Sequence, residues 1–127
     1  MDKKLENINV RDVLYIACNM GKMILQNGGE TYRAEETIVR TCRHYNIKAS
    51  SFATLNTIIT STDLFENDRL DSKYTIVDRI NFRTTDLDKV CRINDIARNL
   101  DPYTLDELKD EINTTAKVTR SLERKKS

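Results

Sequence analysis

Apolar residues recur at helical spacing near the start of the chain. Val10, Val13, Leu14, Ala17, Met20 and Ile24 fall on one side of a predicted first helix. Asn9 precedes them as a cap, with Asp12 three residues on. Asn27-Gly28-Gly29 stops the pattern, because glycine supplies the left-handed turn favoured after a helix. A second helix is predicted at once, with Glu30 in its first turn, where a carboxylate complements the positive end of the dipole. Its apolar stripe is Ala34, Ile38, Cys42 and Tyr45, with Thr41 alongside. Arg33, Glu36, Arg40 and Arg43 fall on the other side.

The middle third has a different texture. No Lys, Arg, Asp or Glu occurs from Ala49 to Thr62, while Ser50, Ser51, Thr54, Thr57, Thr60, Ser61 and Thr62 alternate with Phe52, Leu55, Ile58 and Ile59. Charge-free, β-branched sequence predicts strands that are mostly covered, around 49–54 and 57–62, with Leu55-Asn56 turning the chain. Asp63 to Ser72 is acidic and reads as an exposed loop. Residues 74–80 read as a third strand, with Tyr74, Ile76, Asp78 and Ile80 on one face. Two helices follow. Thr85-Asp86-Leu87-Asp88 offers a start signal for a face of Leu87, Val90, Ile93, Ala97 and Leu100, which Asp101-Pro102 ends. Thr104-Leu105-Asp106-Glu107 is a capping box for a face of Leu105, Leu108, Ile112 and Thr115. The order predicts an α+β domain: two helices, a three-stranded antiparallel sheet and two helices, with the helices packed on the sheet.

Composition narrows the function. The chain has 127 residues, 39% hydrophobic and 32% charged, with three Gly and one Pro. That is one soluble domain's worth of sequence, and it excludes collagen-like and Pro-rich architectures. The longest apolar run, Val13 to Cys18, is far shorter than the roughly 20 residues that span a bilayer. Met1-Asp2-Lys3-Lys4 leads into Leu5-Glu6-Asn7 without the apolar stretch of a signal peptide. Basic residues number 21 and acidic residues 20, a balance that argues against nucleic acid as a partner. The basic residues concentrate at the end, where Lys117, Arg120, Arg124, Lys125 and Lys126 face only Glu123. The expected organisation is a soluble domain over 1–119 and a basic tail over 120–127. The tail is either a solvated terminus or a segment that meets an anionic surface.

Conventional catalytic and metal motifs are missing. Cys18, Cys42 and Cys91 are odd in number and widely spaced, which predicts buried thiols in a reducing compartment and no disulfide framework. With one histidine and no Cys-x-x-Cys pair, no metal or other cofactor is expected. His44 would have to carry any acid–base step. Cys42, two residues away on a helix, points elsewhere. Ser50-Ser51 has no nucleophile-elbow frame. Asp63, Glu66, Asp68 and Asp71 lack the glycine and the terminal Glu of a calcium loop. Gly28-Gly29 follows a helix and not a strand, so it is no nucleotide fingerprint. Arg33 is placed to pair with Glu30 or Glu36 one helical turn away, or with a residue of the strand region.

The stretch Asn27-Gly28-Gly29-Glu30-Thr31-Tyr32-Arg33-Ala34-Glu35-Glu36-Thr37-Ile38 resembles the Gly-Ala-x-x-x-Arg-x-Glu signature of the threonine/serine exporter family. Gly29 stands where that family more often has Ala, and Ala34 where it often has Val. The hydroxyl-rich run Ser51–Ser61 is similar to the family's next segment. Thr75-Ile76-Val77-Asp78-Arg79-Ile80, then Thr85–Val90 and Ile93-Asn94, are similar to the one after. The resemblance implies a non-enzymatic role: a cytoplasmic N-terminal domain that supports export of a small amino acid by gating, substrate binding or assembly. It marks Gly29, Arg33, Glu35 and Arg79 as motif residues. The implied location is the cytoplasmic face of the cell membrane, beside the transmembrane part of the same transporter or a membrane partner subunit, with homo-oligomers as a further option. In a binding role, Arg33 would hold a substrate carboxylate and Glu35 its ammonium, with Thr57 and Ser61 offering hydroxyls. The other reading of those hydroxyls is local satisfaction of the strands. The alternative function is a small hydrolase using His44.

Overall fold

The computed structural model describes residues 9–66 and 69–117, and over 63–73 the course of the backbone alone. Helix α1 (Val10–Gln26) begins where the Asn9 side chain accepts the Arg11 N–H at 2.9 Å. It ends as the glycine pair predicts. Gly28 takes a left-handed φ of 96°, the Gly28 N–H donates to Leu25, and the Gly29 N–H reaches back to the Ile24 carbonyl at 2.7 Å. Its core is wider than one stripe: Ile16, Cys18, Gly21, Met23 and Leu25 are buried as well. Helix α2 (Thr31–His44) follows with Ala34, Ile38 and Cys42 fully buried and Tyr45 just past its end. Glu30 is not in the first turn. It is the extended residue before the helix, and its side chain makes no capping bond.

The sheet has the expected order and sense. Strands β1 (Ala49–Ala53), β2 (Thr57–Glu66) and β3 (Arg69–Arg79) pair antiparallel in sequence order. Leu55-Asn56 turns the chain, and the Thr54 N–H meets the Thr57 carbonyl at 2.8 Å. The acidic loop expected over 63–72 is largely absent, because β2 and β3 run on through it as a hairpin. Once Thr57–Thr62 is paired, the two chains already lie side by side, and ladder bonds and cross-strand contacts offset the backbone entropy of each further residue. Charge excludes a strand only where both of its faces are covered.

Alternation sorts the sheet into two faces. Ala49, Ala53, Ile58, Thr60, Thr62 and Ile80 are buried, with Ser51, Tyr74, Ile76 and Asp78 half-buried, on the side of the helices. The other face is open, which corrects the expectation of mostly covered strands. Phe52, Ile59 and Val77 form one cross-strand row there, exposed by 63%, 42% and 58%. The Thr62 hydroxyl donates to the Lys48 carbonyl and pins the entry to β1.

Helices α3 (Leu87–Arg98) and α4 (Leu105–Lys117) complete the fold, which is α+β as expected. The α4 capping box closes reciprocally, Thr104 N–H to Glu107 at 2.9 Å and Glu107 N–H to the Thr104 hydroxyl at 3.2 Å. At α3 the cap is Asp86 and not Thr85, with the Asp86 carboxylate accepting the Lys89 N–H. Leu87, expected in the apolar face, is exposed, whereas Val90, Ile93, Ala97 and Leu100 are buried together with Ile96. Helices α1 and α2 form the middle of the molecule, with the sheet on one side and α3 and α4 on the other. The basic tail expected over 120–127 lies outside the described residues.

The α1–α2 contact leaves no room for a methyl group. A Cβ on Gly21 would lie 2.5 Å from Ile38 Cδ1 and 2.7 Å from its Cγ1. Gly21→Ala is therefore expected to cost about 1–3 kcal/mol of stability, the usual range for an overpacked core. Adding Ile38→Val, which removes the closest atom, should recover part of the loss, and urea unfolding of the three variants measures both effects.

Candidate functional site

The inner face of the sheet carries a polar seam under α1. Thr60 lies in the middle of it, fully buried, with Ser51 opposite on β1, their hydroxyls 3.2 Å apart. The Cys18 thiol, one layer above on α1, lies next to the Thr60 side chain. Thr41 on α2 donates its hydroxyl to the Met20 sulfur at 3.7 Å. In the next row of the sheet, Ala53 pairs with Ile58 and Ile58 with Asp78. Strand alternation turns Asp78 inward among apolar neighbours. Its Oδ2 is fully buried and has no hydrogen-bond partner.

That oxygen carries the electrostatics of the seam. Burial pushes the Asp78 carboxyl above the ordinary carboxylate range, and the nearby Lys22 ammonium on α1 only partly offsets this. Burial likewise raises the Cys18 thiol to about 11 and the Cys42 thiol to about 12. The Asp78 charge adds to the first shift, and Cys18 adds to the second. Both thiols are therefore neutral at physiological pH and behave as small apolar groups. Cys91 is exposed on α3, which corrects the expectation of three buried thiols.

The residues singled out from sequence do not meet in one place. Arg33 is half-buried in the first turn of α2, its guanidinium 5.9 Å from the centre of the Tyr32 ring. Among the described residues no carboxylate lies within ion-pair distance of it, so the expected pairing with Glu30 or Glu36 is not formed. Glu36 instead pairs with Arg40 at 3.1 Å. Glu35 accepts the N–H of Ala53, the last residue of β1, at 2.7 Å. Thr57 and Ser61 are half-buried on the outer face of the sheet, away from the helices, and Arg79 is exposed on that same face. Gly29 is packed tightly, since a Cβ there would meet the Ile24 carbonyl at 2.9 Å and Val90 at 3.2 Å. His44 is half-buried, its Nδ1 3.8 Å from Asp101 Oδ1 and its ring edge-on to Tyr45. Among the described residues no hydroxyl or thiol is hydrogen-bonded to it. The described residues hold no group of three or more potential metal ligands.

The sequence pattern puts Asp78 on one strand face with Tyr74, Ile76 and Ile80 but does not nominate it. The usable signal was an acid at an inward position of a strand whose neighbours Ile76 and Ile80 are apolar. Comparison with known families then bears on what such a seam is for. Residues 15–124 match the ThrE family model, described as "Putative threonine/serine exporter". The chain belongs to this family. No curated protein and no solved structure shows significant similarity to it. Membership makes the chain part of a transporter family, and no described helix is long and apolar enough to cross a membrane.

Two outcomes follow from the seam. The folded chain holds the Asp78 proton more tightly than the unfolded chain does. Ionising it therefore costs stability above its folded-state titration, and nothing well below the ordinary aspartate value of about 3.9. The stability of the wild type relative to Asp78→Asn should accordingly fall as pH rises from about 3 towards neutrality, as read by paired urea titrations. In native buffer Ellman's reagent should react promptly with Cys91 alone, and Cys91→Ser should abolish that prompt reaction.

Proposed function

We propose that this chain is the soluble module of a threonine/serine exporter and that it binds the small amino acid at the Asp78 seam. The carrying observation is the buried, unpartnered Oδ2 of Asp78 in a member of this transporter family. An amino acid's ammonium supplies the missing donors, and Lys22 offers a cation for its carboxylate. The Ser51–Thr60 hydroxyl pair, one row away, matches the side-chain hydroxyl that threonine and serine share. Entry requires the half-buried Lys22 side chain to swing aside. Arg33, Glu35, Thr57 and Ser61 lie on two different faces, which is why the seam is the better-supported site.

In the whole transporter the module acts at the cytoplasmic face. There it hands substrate to, or gates, a membrane-spanning part supplied by the same protein or by a partner subunit. The absence of a spanning helix among the described residues supports this division of labour. No step in this role calls for bond-breaking, so the hydrolase alternative through His44 has no observation in its favour.

Thermal unfolding with added L-threonine or L-serine tests the binding. At a ligand concentration 100 times Kd the native state gains about 2.7 kcal/mol, which appears as a clear rise in Tm. Asp78→Asn should remove the rise, while glycine should give a smaller one. Binding should strengthen as pH rises through the Asp78 titration, because only the carboxylate attracts the ammonium. No shift in the wild type with either amino acid would refute the site.

A further inference from the structure

The free edge of β1 is built differently from the rest of the sheet. Thr54 donates to Thr57, and antiparallel ladders alternate, so Ser50 and Phe52 direct their backbone groups at β2. Ala49, Ser51 and Ala53 direct theirs outward. Glu35 occupies the Ala53 N–H. Among the described residues no partner meets the outward N–H of Ser51 or of Ala49.

A groove of about 460 Å³ opens beside Ala49, between β1 and the last turn of α2. Val39 and Ile47 give it apolar walls, and Arg43, Lys48 and Asn46 supply its polar groups. Asn46 takes a left-handed φ of 62°, and the Ile47 N–H returns to the Cys42 carbonyl at 2.9 Å. This tight connection fixes Arg43 and Lys48 around the groove. Among the described residues neither cation has a carboxylate partner, whereas Arg40 on the same helix is taken by Glu36.

We propose that an extended peptide segment carrying a carboxylate adds to this edge as a fourth strand, with its acidic group at Arg43 and Lys48. Backbone groups repeating every second residue, roughly 6.6–6.8 Å apart, are matched by another extended backbone and not by an isolated anion. The charge along the edge has a direction, with two cations at the Ala49 end and Glu35 at the Ala53 end. An incoming strand is therefore held with its acidic end at Ala49. Two cations are too few for the phosphate contacts by which a nucleic acid binds tightly. The inference is independent of the amino-acid site, which lies under α1 on the covered face.

A library of random ten-residue peptides with free C-termini, selected against the full chain, tests it. The selected peptides should carry an acidic side chain or use the terminal carboxylate, and one of them is then synthesised with a fluorophore. Arg43→Gln/Lys48→Gln should weaken its binding at least about tenfold, which corresponds to about 1.4 kcal/mol. Arg40→Gln should leave binding unchanged. Ser51→Pro removes the outward N–H together with the hydroxyl that meets Thr60, so Ser51→Ala, which loses the hydroxyl alone, is its control: Ser51→Pro should abolish peptide binding and Ser51→Ala should spare it, provided far-UV circular dichroism shows a folded chain. A second readout does not depend on that variant folding. N-methylation at alternate residues of the peptide should abolish binding in one parity and spare it in the other. The proposal fails if no peptide is selected, or if N-methylation shows no parity. It also fails if inorganic phosphate or phosphatidylserine vesicles displace the peptide completely at matched charge, or if the edge proves occupied by a second copy of the chain.

Discussion

The last four carbonyls of α1, from Met23 to Gln26, are each met by a backbone N–H from beyond the helix. The Gly28 and Gly29 N–H groups cover the Leu25 and Ile24 carbonyls. Gln26 and Asn27 are met from far along the chain: the Thr84 N–H reaches Gln26 at 2.7 Å, and the Asp86 N–H reaches Asn27 at 3.0 Å. The Asn27 side chain joins in, donating to Met23 and accepting from the Thr84 hydroxyl at 3.1 Å. One joint therefore fixes the exit to α2, the return from β3 and the start of α3, whose cap is Asp86 itself. With α1 fixed, Gly21 lets α2 come close, and the sheet meets a helix pair of set spacing.

What the sequence disclosed is what local chemistry decides. The Asn9 cap, the glycine stop after α1 and the α4 capping box are contacts between residues two to five apart, and these three form where they were read, whereas the α3 cap falls on Asp86 and not on Thr85. The order of helices and strands was legible for the same reason, since the change from 3.6-residue to 2-residue periodicity is local. What was hidden depends on neighbours distant in sequence. Residues 63–72 read as a loop because charge signals water, but a two-stranded ribbon satisfies its backbone in water as well as in a core. Leu87 is apolar at a helical face position, yet the Asp86 cap leaves it on the open side. Cys91 sits in an apolar stretch, but its helix turns it outward.

The candidate site shows the same division. The hydroxyls from Ser50 to Thr62 were visible as a set, but strand alternation splits them between two faces. Ser51 and Thr60 go under α1, and Thr57 and Ser61 go outside. Periodicity was enough to sort them. What it does not contain is which face the helices cover, and that follows from α1 lying over β2 and β3, where Cys18 neighbours Thr60 and Arg11 meets the Tyr74 ring. Glu35 and Arg33, adjacent in one family motif, have separate surroundings for a related reason. Residues two apart on a helix point about 200° apart, so one meets the edge of β1 and the other lies over the Tyr32 ring.

The two edges of the sheet are managed by opposite means, and this links the site to the rest of the fold. An open edge strand invites pairing with other chains, and an inward-pointing charge is one of the devices that discourages it. On β3, Asp78 supplies that charge: a neighbouring strand laid along this edge would seal the carboxylate still further from water and from Lys22. On β1 the protection is local, since Glu35 takes one outward N–H and leaves the Ala49 end beside a cationic groove. An apolar residue at position 78 would pack better against Ile58 but would leave residues 74–79 of this edge without an inward acid. The seam therefore carries a desolvated carboxylate that the fold itself does not satisfy, and the ordering of α1 above it keeps that group in place. The inward acid disfavours strand addition at β3, whereas the Ala49 end of β1 carries no such group. The seam proposed for the amino acid lies on the covered face of the sheet, and the groove proposed for an added strand lies beside the outer edge of β1 at Ala49.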